Sequence, residues 1–161
     1  MMVSESSTIK FPVADKLKRR PNILWICTDQ QRWDTISSLG NNCIRTPNID
    51  RLANEGVAFL KAFCQSPICT PSRSSFLTGM YPSSVHGCSN GNDRWAEAAP
   101  LVTKTLADSG YRCGLVGKLH LAGCHGRIEP RPEDDGYSVF HWSHSHKDMW
   151  PEGHSYADWV K

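Results

Sequence analysis

Cys69 opens the run Cys-Thr-Pro-Ser-Arg, which places a thiol four residues before an arginine. A cysteine is most often a small buried apolar residue, but the polar neighbours here suit chemistry at the sulfur. Pro71 and Gly79 bracket a short helix after it, because proline is at home in a first helical turn and glycine just past a last one. Cys69 then stands at a helix N-terminus, where backbone N–H groups and the helix dipole favour an anion. Arg73 is one turn further on and reaches the same spot. Its cation would favour a thiolate or an anionic substrate. A buried structural cysteine is the plainer alternative, and it gives Arg73 no purpose.

Two other pairs could share that chemistry. Asp29 and Gln30 follow directly on the apolar run "NILWICT", 22–28. In open α/β sheets ligands sit beyond the carboxyl ends of the strands, and two side-chain oxygens there suit a hard cation such as calcium or magnesium. An aspartate that caps a turn or the next helix is the plain alternative. Lys118 and His120 lie in "GKLH" after a second apolar run. In an extended stretch the side chains of i and i+2 point the same way. The lysine could then bind an oxyanion and the histidine move a proton; a surface lysine beside a core histidine is the competing reading. His141, His144 and His146 form a further cluster of metal-ligand type. Packing and hydrogen bonding are its alternative, since no cysteine stands nearby at zinc-finger spacing.

The elements that must position these groups follow from local pattern. "NILWICT", "VAFLKAF" (57–63) and "YRCGLVGK" (111–118) read as buried strands. In "TPNIDRLANEG", Thr46 suits an N-cap, Pro47 the first helical position and Gly56 the end. Ile49, Leu52 and Ala53 then share one helical face. Phe76 and Leu77 should face the core from the helix after Cys69, and 100–110 predicts another helix with Val102 and Leu106 one turn apart. Residues 81–93, rich in Ser, Gly, Asn and Pro, predict a loop. The order strand, helix, strand, helix, helix, strand predicts an α/β layered fold. From residue 119 the sequence is polar, aromatic and rich in histidine, and predicts no regular element until "ADWVK" begins a helix.

Composition bounds the function. The 161 residues, 39% hydrophobic and 21% charged, suffice for one domain with a core. A net charge of +2 is too small to imply a nucleic-acid partner, and no apolar run is long enough to cross a membrane. The N-terminal "MMVSESSTIKFPVADKLKRR" has no apolar core or cleavage site of the export type; a flexible lead-in over 1–20 and a cytoplasmic location are expected. The seven cysteines (27, 43, 64, 69, 88, 113 and 124) contain no Cys-x-x-Cys pair. Without an export signal they suggest buried thiols in the main rather than a disulfide framework.

The blocks "PNILWICTDQQRWD", "TPNIDRLANEGVAF", "CTPSRSSFLTGMYP" and "GKLHL" together resemble the sulfatase family of the alkaline phosphatase superfamily, in that family's order and spacing. The likeness covers roughly residues 21–123 and, more loosely, "DDGYSVFHW" after them. It implies an alkaline-phosphatase-like mixed sheet flanked by helices, with 21–161 forming the N-terminal part of a catalytic domain truncated at its C-terminus. It also implies that Cys69 is oxidised after synthesis to formylglycine, an aldehyde, with Thr70, Pro71 and Arg73 presenting it to a formylglycine-generating enzyme. The hydrated aldehyde would offer one hydroxyl to attack sulfur and a second whose deprotonation expels sulfate.

Other roles follow from the same resemblance. Asp29 and Gln30, with the converted Cys69, would bind a divalent metal, calcium first and magnesium or manganese as alternatives. Gln30 stands where many members carry a second aspartate. Arg73 would hold the formylglycine, Lys118 a sulfate oxygen, and His120 the formylglycine hydroxyl as a base; Asn90 would face the same pocket. The substrate would be a sulfate ester of a small molecule or glycan, with no nucleic-acid or membrane partner. Ligands and leaving-group residues expected later in such chains are not in this sequence, so this polypeptide alone is expected to be a poor catalyst or none. A phosphonate or phosphodiester hydrolase, a non-catalytic remnant and a redox-active cysteine protein are the other readings.

Overall fold

A computed structural model describes residues 20–85, 87–92, 100–124, 128–145 and 153–160. Helix α1 spans Pro47–Glu55, α2 Cys69–Thr78 and α3 Val102–Asp108. Strands β1 (Cys113–Gly117) and β2 (Tyr137–Trp142) pair in parallel, and α4 spans Ser155–Trp159. The expected lead-in over 1–20 lies outside the described residues apart from Arg20.

The three predicted helices form where their stop signals place them. Proline opens α1, and the Gly56 N–H closes it on the Leu52 carbonyl at 3.0 Å. Thr46 is the N-cap, but its hydroxyl does not cap the helix. Instead it accepts from Ser37 N–H at 2.9 Å and donates to Asp50 at 2.7 Å. The same Asp50 carboxylate accepts from Ser38 N–H at 2.9 Å. These bonds fasten α1 to the one-turn 3-10 helix Ser37–Leu39. Helix α2 ends at Gly79, whose φ of 71° is the left-handed conformation that glycine adopts without a Cβ penalty.

The core sits between α2, α3 and one face of the sheet. Leu77, Val85, Leu101, Leu119 and Leu121 are buried together, with Phe76, Leu115, Tyr137 and Phe140 packed against them. The sheet has one covered face: Leu115 is half-buried, whereas its neighbour Val116 is 85% exposed. The expectation of a fully buried strand over 111–118 is corrected accordingly. Gly136 joins the sheet to α3, and a Cβ there would lie 2.5 Å from the Thr103 carbonyl.

Two predicted strands are absent. Residues 22–28 and 57–63 lie outside the two-stranded sheet, and Leu24, Ile26, Phe59, Leu60 and Phe63 are exposed. A strand exists only where a neighbour completes its ladder, and β1 and β2 pair with one another instead. The reverse holds for β2, which forms within the stretch predicted to be irregular because β1 supplies its partner. Inside the predicted loop 81–93, Pro82–Val85 makes one 3-10 turn. The cysteine expectation is also corrected. Cys124 is buried, Cys69 and Cys113 are half-buried, and Cys27, Cys43, Cys64 and Cys88 are exposed. The exposed four sit on the unpaired apolar runs and on loops, where no core covers them.

Candidate active site

Cys69 is the first residue of α2, as its flanking signals predict, and is half-buried. The residue before the helix, Ile68, has no side chain able to cap it. The free helix end is met from a distance: the Asn90 side-chain oxygen accepts from Thr70 N–H and from the Thr70 hydroxyl, both at 3.3 Å. Thr70 Oγ1 in turn accepts from Gly91 N–H at 3.2 Å. Asn90 therefore holds the helix turn that carries Cys69.

Lys118 joins the sequence-distant parts. Its ammonium donates to Asp29 Oδ2 at 2.8 Å and stands 3.6 Å from Cys69 Sγ. Arg73, buried in α2, donates through Nη1 to the Lys118 carbonyl at 2.5 Å. Trp25 stacks on Phe76 with ring centres 5.2 Å apart, which lays the segment leading to Asp29 along α2. The Lys118 hydrogen bond holds the Asp29 carboxyl below the usual carboxylate range, against a smaller opposing effect of burial. Cys69, Arg73, Lys118 and Asp29 are thus brought together, and Gln30, in the left-handed region at φ 53°, is exposed beside Asp29.

His120 is 6% exposed and also left-handed, at φ 56°. Its Nδ1 is buried without a hydrogen-bond partner. The His144 ring meets it edge-on, centres 4.5 Å apart. Burial first, then the Lys118 ammonium, pushes the His120 pKa down to about 4. Burial and Lys118 do the same to His144, also to about 4. Both imidazoles are therefore neutral at pH 7, and His120 presents a ring nitrogen able to take a proton. Among the described residues the suggested histidine metal cluster is not gathered: His141 is exposed on β2 and His144 packs on His120, while His146 lies outside the described residues.

Asp29 and Gln30 offer a carboxylate and an amide oxygen, the kind of donor a hard cation takes, though calcium needs roughly six to eight. Among the described residues no group of three or more His, Cys, Asp or Glu is gathered to hold a metal. The donors fit such an ion in kind and would supply only part of its shell.

Sequence reasoning missed Glu129. This carboxylate is 2% exposed and sits beneath the Lys118–His120 segment. Oε2 accepts from His120 N–H at 2.5 Å and from the Trp142 indole at 3.2 Å. Oε1 accepts from Leu121 N–H at 2.5 Å and Ala122 N–H at 3.0 Å. Burial raises its pKa while these donors pull it back. Its partners are mostly backbone groups, which leave no residue-type signal. Burial, with the Glu129 charge nearby, also pushes the Cys124 thiol up to about 11.

With this geometry in place, comparison with known proteins gives the class. A family model described as Sulfatase matches residues 21–152. The steryl-sulfatase of Homo sapiens is 34% identical over 140 residues, covering 76% of this chain and 23% of that protein. Arylsulfatase H of Canis lupus familiaris is 36% identical over 136 residues, covering 76% and 24%. The N-acetylgalactosamine-6-O-sulfatase of Bacteroides thetaiotaomicron is 36% identical over 130 residues, covering 74% and 25%. The chain belongs to the sulfatase family. It spans about a quarter of the length of these curated relatives. No helix among the described residues is long and apolar enough to cross a membrane.

Proposed function

We propose that this chain carries the nucleophile side of a sulfuric ester hydrolase, with Cys69 converted to formylglycine. The observation that carries the reading is the position of Lys118, whose ammonium stands between Cys69 Sγ and Asp29 Oδ2 although the two acidic and basic partners are 89 residues apart in sequence. A cation at hydrogen-bond range of the reacting position offsets negative charge as it develops on sulfate oxygens. Arg73 fixes the Lys118 backbone and so holds that cation in place. Asn90 holds the α2 turn that presents residue 69. His120, neutral and with a free ring nitrogen, accepts the proton that must leave a hydroxyl at residue 69.

The formylglycine would supply a hydrated aldehyde as nucleophile, and a hard divalent cation, calcium first, would be held in part by Asp29 and Gln30 and polarise the sulfate. The β1–β2 ladder would belong to a larger alkaline-phosphatase-like mixed sheet. The substrate class is a sulfate ester of a small molecule or glycan, and a formylglycine-generating enzyme is the required partner. The test is the mass of the tryptic peptide Ala62–Arg73 from cells that contain that enzyme. Loss of the Cys69 sulfur with Cys64 intact is expected. A persistent Cys69 thiol would refute the reading.

A further inference from the structure

We propose that Glu129 is a positioning residue, the internal anchor that holds His120 in its left-handed conformation and thereby fixes the backbone from which Lys118 reaches Cys69 and Asp29. The relevance to catalysis rests on the sulfatase reading; the anchoring itself does not.

A left-handed backbone is uncommon for a residue with a side chain, and it persists only where surroundings impose it. His120 has that conformation at φ 56°. Starting at His120, three successive N–H groups turn toward one point, the concave arrangement that binds anions. The anion there is the chain's own Glu129 carboxylate, which receives all three. The Trp142 indole at the end of β2 donates a fourth bond. The site is sealed, with Leu119, Leu121 and Ala122 buried around it.

The segment is gripped from two sides. Arg73 holds the Lys118 carbonyl from α2, and Glu129 holds the N–H groups of the next residues but one onward. Between the two grips the chain runs from Lys118, whose ammonium reaches Asp29 and Cys69, to His120. Residues 118–136 form the crossover between two parallel strands, a connection usually made by a helix. No helix forms among its described residues. A buried carboxylate does the fixing that helix packing would otherwise do.

The test is NMR on the isotope-labelled chain. In the wild type the amide protons of His120, Leu121 and Ala122 are expected to lie downfield and to be slow in exchange, and His120 to show the carbon shifts of a left-handed residue. Glu129→Gln keeps the shape but places an NH2 against N–H donors whichever way it turns. It is expected to abolish the His120 signature and speed exchange at 120–122 by about tenfold to a hundredfold, the factor for losing a charged hydrogen bond. The α2 amides should be unchanged. Trp142→Phe removes one donor and leaves the three backbone bonds, so the signature should survive. Glu129→Asp, with the charge kept, should restore part of it. The proposal is overturned if the wild-type amides lack the signature, if Glu129→Gln leaves it intact, or if Trp142→Phe removes it equally. Should Glu129→Gln fail to fold, the wild-type and Trp142→Phe spectra decide. No arm depends on Cys69 conversion, so either idea can fail alone.

Discussion

Acidification below the free histidine range should destabilise this fold through His120. The ring is buried, and Lys118, His144 and Arg73 all oppose its protonation, with Asp29 alone favouring it. Its folded pKa is about 4, against 6.5 in the free side chain. The unfolded chain therefore binds the proton first. Stability is complete above pH 6.5, falls as pH drops toward about 4, and levels off below. Each pH unit in that window costs about 1.4 kcal/mol, or about 3 kcal/mol for the whole shift. The assay is urea denaturation at intervals from about pH 7.5 to pH 4.5, for the wild type and for His120→Asn. Asparagine tolerates the left-handed backbone, so the comparison isolates the ring. The variant should lose about 1.4 kcal/mol per pH unit of slope and keep a residual slope from His144. Equal slopes in the two proteins, or a His120 resonance titrating near its free value, would refute the reasoning.

Asn90→Ala should cost about 1 kcal/mol, the usual loss for a helix cap, in denaturant midpoints, and should loosen the amide of Thr70. Lys118→Met should raise the Asp29 pKa toward its ordinary value, because the lost hydrogen bond is the main cause of its depression; carboxyl-carbon NMR reads the shift. Arg131 pairs at 2.8 Å with Asp135, which is 3% exposed, and lies over the Phe140 ring at 3.9 Å. Arg131→Met leaves that carboxylate buried beside an apolar chain and should cost about 2–3 kcal/mol in thermal unfolding, less than for a pair buried on both sides.

What could be read from sequence was local. Pro47, Gly56 and Gly79 mark helix ends through their own backbone preferences, and the helices appear between them. Strand formation depends on a partner. The apolar runs 22–28 and 57–63 are strand-like in composition yet unpaired, while the polar, aromatic run around Phe140 is paired. The site divided in the same way. Cys69, Arg73, Lys118 and Asp29 were visible as reactive types at suggestive spacings, and they do converge. Asn90 reaches the neighbourhood as a support for α2. Glu129 was invisible, because it binds main-chain groups and leaves no spacing to detect, while His144 was legible only as one of a histidine cluster and acts instead by packing on His120.

The knot of Thr46 and Asp50 with Ser37 and Ser38 makes α1 and its preceding turn a self-contained unit. Helix α1 buries no residue, and its principal neighbour among the described elements is that turn. Residues 37–56 can therefore open as one cooperative segment at a small fraction of the global unfolding free energy. Such opening leaves the Cys69–Lys118–Asp29 arrangement intact. It would admit a protease between residues 37 and 56 without global unfolding.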